Sequence, residues 1–174
     1  GVDWRETVSG ESAALLRGPK LPFGAAPSII APRSGYVVNA NNEPWFASAA
    51  DDSPQPEAFP PHWGVEARST NRGLRAAELF SADASLSAED FLRYKMDDRY
   101  AEQSALRLAI ARAMETPAIA KDPSLAEARA VLSRWSGSAD RKDRGAALAI
   151  LFGRMRLGPL LNGVGAQTED DAKA

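Results

Sequence analysis

The chain has 174 residues, 44% of them hydrophobic, a formal net charge of -2 and a pI near 5.5. That suits one domain or a sizeable piece of one, and gives no general attraction to nucleic acid or to an anionic membrane surface. The lack of cysteine excludes disulfides, thiol nucleophiles and thiolate metal sites, and a single histidine, His62, excludes a multi-histidine zinc centre.

From 1 to 64 the chain is rich in Pro, Gly, Ser and Asn, and reads as an extended arm of loops and short strands. It opens on Gly1 with no basic and apolar leader pattern, and reads as cut from something longer. Tyr36-Val37-Val38 has strand chemistry, and Asn39 and Asn42 are suited to hold the turn that follows before Glu43-Pro44 ends it. Prolines at 54, 56, 60 and 61 make Asp51 to Gly64 an irregular connector.

Alanine, leucine, arginine and glutamate then dominate, and 65 to 158 reads as a helical region of about four helices. The first, 72 to 81, turns Leu74, Ala77 and Leu79 to a core and leaves Arg75 and Glu78 wetter. Ser87 caps the second, which is predicted to run unbroken to Glu115 ahead of Pro117, ~40 Å in length. Its seam would be Leu92, Met96, Tyr100, Ser104 and Leu108. Asp122 caps the third, with Pro123 at its first position and Trp135-Ser136-Gly137 closing it. The fourth, about 140 to 156, carries "GAALAILFGRM", whose small residues permit close packing. The tail from 159 to 174 is small, acidic and polar, and reads as flexible. No run is long and apolar enough to span a bilayer.

Much familiar chemistry is missing. There is no glycine-rich phosphate loop, so neither a nucleotide nor any other organic cofactor is expected. There is no G-x-S-x-G elbow, and His62, wedged between Pro61 and Trp63, is placed for stacking or exposure rather than for a triad. The pairs Glu89-Asp90 and Asp97-Asp98 read as a solvated helix face.

The run "LPFGAAPSIIAPRSGYVVNANNEPW" resembles the penicillin acylase family of N-terminal nucleophile amidases, in the large-chain segment patterned NP-x-S-G-[FY]-[IV]-x-N-x-N-N-x-P. Ala31-Pro32 stands where that pattern has Asn-Pro, while Ser34-Gly35-Tyr36 and Asn39 to Pro44 fit. The order of motifs continues with Arg72-Gly73-Leu74-Arg75-Ala76-Ala77-Glu78-Leu79 on R-x-x-R-[AI]-x-x-L, and Leu86-Ser87-Ala88-Glu89-Asp90 on L-[ST]-x-[ED]-[DQ]. "VLSRWSGSADRKDRGAALAILF" follows L-x-x-W-[DS]-G and the next helix. The likeness spans roughly Trp4 to Arg156.

The resemblance implies an amide attacked by the hydroxyl of an N-terminal serine whose own amine is the base, which needs no histidine. It assigns an oxyanion-hole carboxamide to Asn41 and a place near the nucleophile to Arg72, which on its own reads equally as an exposed first-turn arginine. It puts Asp52 where the family lends a carboxylate to a structural calcium ion, against the plain reading of a turn aspartate. Tyr100 and Trp135 read as core aromatics.

Serine is missing at position 1, so the chain is expected to be an internal fragment of an αββα hydrolase. It would be mainly α with a short-strand arm, inactive alone, and completed by the remainder of the acylase chains. Unpaired strand edges would favour self-association. The parent is expected to be periplasmic or secreted, and to act on penicillin, an acyl-homoserine lactone or a lipopeptide. Two rivals stand beside this reading: a non-catalytic helical interaction module, and a calcium-dependent structural domain centred on Asp51-Asp52, which lacks EF-hand spacing.

Overall fold

A computed structural model describes residues 2–11, 13, 20–65 and 69–161, with only the helical backbone for 156–161. The chain divides into two units, Gly1–Ser69 and Thr70–Ala174. The tail expected to be flexible lies, from 162 on, outside the described residues.

The first unit is irregular chain punctuated by single 3-10 turns at Phe23–Ala25, Pro44–Phe46, Pro56–Ala58 and Pro61–Trp63. Proline opens the last three, where its preset φ fits and its missing N–H leaves nothing unsatisfied. The short strands expected here are not found among the described residues. Val38 is buried and its N–H donates to the Ala47 carbonyl at 2.7 Å, but Val37 is 60% exposed and no ladder follows. The Pro44 turn brings the chain back to Val38 for this one backbone bond, and the carbonyl of Tyr36 is met by a side chain instead of a ladder.

Buried serines replace the missing ladder. Ser53 Oγ accepts from the Ser48 N–H and donates to the Ser48 carbonyl, both at 3.1 Å, while Ser48 Oγ donates to the Tyr36 carbonyl at 2.9 Å. Trp45, Phe59 and Trp63 stack in sequence, with centroids 5.4 and 6.2 Å apart. Gly64 closes the connector at a φ of 66°, and a side chain there would sit 2.9 Å from the Trp4 carbonyl oxygen.

The second unit holds six α-helices among the described residues: α1 Asn71–Ser81, α2 Ala88–Lys95, α3 Ala105–Glu115, α4 Pro117–Ala120, α5 Ala126–Leu132 and α6 Arg144–Leu161. The predicted caps are in place. Ser87 and Asp90 form a reciprocal capping box on α2, and Asp122 accepts from Ser124 N–H at 2.8 Å as the 3-10 turn Pro123–Leu125 leads into α5. Leu106, Ile110 and Ala149 form the buried core, with Tyr100, Met114, Leu132, Trp135 and Phe152 packed against it. Tyr100 and Trp135 thus take the core positions expected of them, their rings 5.7 Å apart.

The continuous 87–115 helix is not formed. It stops at Lys95, and α3 starts afresh at Ala105, capped by Ser104, whose side chain accepts from Arg107 N–H. The segment between is captured from elsewhere. Asn71 Oδ1 accepts from Ala101 N–H at 2.9 Å while its Nδ2 donates to the Arg99 carbonyl at 3.3 Å, and Tyr100 N–H donates to the Gly137 carbonyl at 2.8 Å. The supposed seam is broken accordingly: Leu92 is 60% exposed and Met96 79%.

Arg75 and Glu78 are not on a wet face either. Arg75 grips Asp97 through Nε at 2.8 Å and Nη2 at 2.9 Å, and reaches Glu78 at 3.0 Å. Asp97 therefore leaves the solvated face predicted for it, and the guanidinium holds its carboxyl below the usual carboxylate range.

Candidate functional site

The asparagine turn is over-determined by its own side chains. Asn41 has a φ of +57°, a left-handed conformation that asparagine tolerates better than most residues. Asn39 Oδ1 accepts the Asn41 N–H at 3.1 Å, and Asn42 Oδ1 accepts the Ala40 N–H at 2.8 Å. Asn42 Nδ2 donates onward to the carbonyls of Glu43 at 3.0 Å and Phe46 at 3.2 Å. The two flanking asparagines thus hold the turn, as their chemistry suggested, while Asn41 stands exposed at its tip.

Glu43 was not singled out from the sequence. It is 5% exposed, with Oε1 accepting from Ser69 Oγ at 2.7 Å. Nothing in the local sequence marks Ser69 as its partner, because 26 residues separate them.

Asp52 is structural in its visible contacts. Its Oδ2 accepts the Ser34 N–H at 2.7 Å and its Oδ1 lies 3.7 Å from Arg33 Nε. The Ser34 N–H first, and then the Arg33 charge, hold its carboxyl below the usual range. Among the described residues no group of three His, Cys, Asp or Glu side chains converges. Calcium takes six to eight oxygens. The described residues here offer Asp52, already bonded and beside a guanidinium, with no cluster of three such side chains, and do not by themselves fit that ion.

Arg72 is exposed in the first turn of α1, behind the Thr70 cap, where a cation opposes the helix dipole. It belongs to the second unit, whereas Asn41 and Asp52 belong to the first. His62 is exposed in the Pro61–Trp63 turn, and its carbonyl accepts the Trp4 N–H at 2.9 Å.

The chain matches the penicillin amidase family model over residues 3–162, and it belongs to that family. Penicillin amidases are hydrolases of amide bonds. No helix among the described residues is long and apolar enough to cross a membrane.

Proposed function

We propose that this chain supplies the oxyanion-binding carboxamide of Asn41 to an enzyme that hydrolyses the amide of an acylated small molecule, of penicillin, acyl-homoserine lactone or lipopeptide type. The nucleophile is an N-terminal serine carried outside these residues, so the isolated chain turns over no amide. The observation that carries the reading is the turn itself, since two side chains are spent on fixing Asn41 in a left-handed conformation at an exposed tip. A preorganised donor is what a tetrahedral oxyanion requires. Arg72 serves near the nucleophile, a reading that its match to the family pattern R-x-x-R supports.

The complete architecture is αββα, and the parent works outside the cytoplasm. The remainder of the acylase chains covers apolar side chains such as Met96 and Met155, both exposed here. The same surface would make the isolated chain self-associate.

The test is Asn41→Ala in the complete enzyme. Losing one such donor costs about 3 kcal/mol of transition-state stabilisation, a fall in kcat of ~10²–10³ with the fold retained. Asn41→Gly, which accepts the left-handed backbone, should fall equally and so separates the carboxamide from the turn. Near-normal kcat in both variants would sink the assignment. Amide turnover by the purified 174 residues would instead refute the placement of the nucleophile elsewhere.

A further inference from the structure

We propose that Glu43 is a positioning residue for Asn41. This rests on the reading of Asn41 as the oxyanion donor, and goes beyond it by naming the group that sets where that donor stands.

Glu43 is the most conspicuous misfit in the first unit. Its side chain is more than nine-tenths buried, and Oε2 has no hydrogen-bond partner among the described residues. A buried carboxylate oxygen without a partner weakens a fold, and an apolar residue of similar volume would serve stability better. The residue is therefore explained by what it holds. Oε1 accepts from Ser69 Oγ at 2.7 Å, which fastens the turn to chain 26 residues away.

The Glu43 main chain completes the connection. Its carbonyl accepts both Asn42 Nδ2 at 3.0 Å and the Phe46 N–H at 3.2 Å. Asn42 in turn accepts the Ala40 N–H, so the bonded path from Ser69 through Glu43 and Asn42 to Ala40 closes across Asn41. With Glu43 released, the local asparagine bonds would keep the turn's shape, but nothing on this path would tie it to Ser69. A donor used only in the transition state is sensitive to such a shift, since an ångström of misplacement can cost ~10²-fold in rate.

The experiment is a double-mutant cycle in the complete enzyme, read as kcat and KM on a chromogenic N-acyl amide that it hydrolyses. Glu43→Ala is expected to lower kcat by about tenfold or more with KM little changed, because the misplaced donor acts on the transition state alone. Glu43→Gln keeps an acceptor for Ser69 and should restore kcat to within about threefold of wild type. In the Asn41→Gly background, Glu43→Ala should remove nothing further, which is the signature of one residue acting through the other.

Independent, multiplying losses in the double variant would overturn the proposal, as would full kcat in Glu43→Ala. Either result leaves the role of Asn41 intact, provided that Asn41→Gly alone is impaired. Full activity in Asn41→Gly would instead overturn that role and this proposal together. A purely structural Glu43 would lower the melting temperature and leave the kcat of the folded fraction unmoved. If Glu43→Ala fails to fold, Ser69→Ala, which cuts the same tether and keeps the carboxylate, takes its place with the same expected and overturning results.

Discussion

Replacing Gly145 by alanine sets two effects against each other. Gly145 is buried in the first turn of α6, its N–H held by Asp143 Oδ1 at 2.8 Å. Helix propensity favours alanine there, by at most about 1 kcal/mol. Against that, the new Cβ would lie 2.5 Å from Trp135 Cβ and 2.9 Å from its Cγ and Cδ1. Carbon atoms prefer roughly 3.5–4.0 Å, so something must move by about 1 Å. The atom met is the root of the side chain rather than its flexible end.

Trp135 is also tied down: its indole donates to the Ser138 carbonyl at 2.8 Å, and its ring packs on Tyr100 and the core. With Trp135 held, the upper part of the usual overpacking range applies, about 2–3 kcal/mol, and less the propensity gain of about 1 kcal/mol it leaves a net loss of about 1–2 kcal/mol. In a unit of this size that lowers the melting temperature by roughly 4–8 °C for each kcal/mol. Thermal unfolding followed by circular dichroism reads it. Gly153→Ala is the milder comparison, because its Cβ would come closest to Leu106 Cδ1, at 2.8 Å, a terminal methyl that needs only a small shift rather than the root of a side chain. That change should stay within about 1 kcal/mol of wild type. A Gly145→Ala chain that melts at or above wild type would show that the Trp135 contact yields freely, and would refute the reasoning.

Three further outcomes follow from the second unit and from the arm. Arg75→Leu should cost about 1–2 kcal/mol near pH 7 after solvent screening of a partly exposed pair. The paired Asp97 has a lowered folded pKa, so its stabilisation is present above the unfolded carboxyl pKa of about 3.9 and is lost as pH falls through the lower folded value. Urea midpoints of the two chains should therefore converge on the acid side, and a difference that does not depend on pH would contradict the pairing. Ser104→Ala should destabilise by about 1 kcal/mol, because the side chain caps α3; in an uninterrupted helix the same change would stabilise, so the sign alone decides. Ala31 sits at a φ of +47° ahead of Pro32, and Ala31→Asn should raise the melting temperature through relief of about 1 kcal/mol of backbone strain. An unchanged or lower value would show that the left-handed geometry is not strained.

What the sequence made legible was local. The caps at Ser87 and Asp122 read correctly because cap and capped residue lie within three positions of each other. Asn39 and Asn42 were readable as turn holders because each bonds a backbone two residues away. The helix break was hidden because its causes, Asn71 and Gly137, lie roughly thirty or more residues from Tyr100 and Ala101. Strand chemistry at Tyr36-Val37-Val38 misled for a related reason: propensity describes one run, and a strand requires two. Glu43 escaped notice because a glutamate between asparagine and proline looks like ordinary turn filler until its burial against Ser69 is seen.

The carboxamide of Asn71 has a consequence beyond the break it enforces. By accepting from the chain at Ala101 and donating to it at Arg99, it behaves as a peptide unit turned sideways, docking one helix onto a loop through main-chain atoms alone. The loop's own side chains are thereby released from the contact, and positions 99 and 101 can drift in identity without loosening it. Position 71 has no such latitude, since aspartate lacks the donor and glutamine is a methylene too long. The residue next along the helix is Arg72, whose main chain is thus moored by its neighbour.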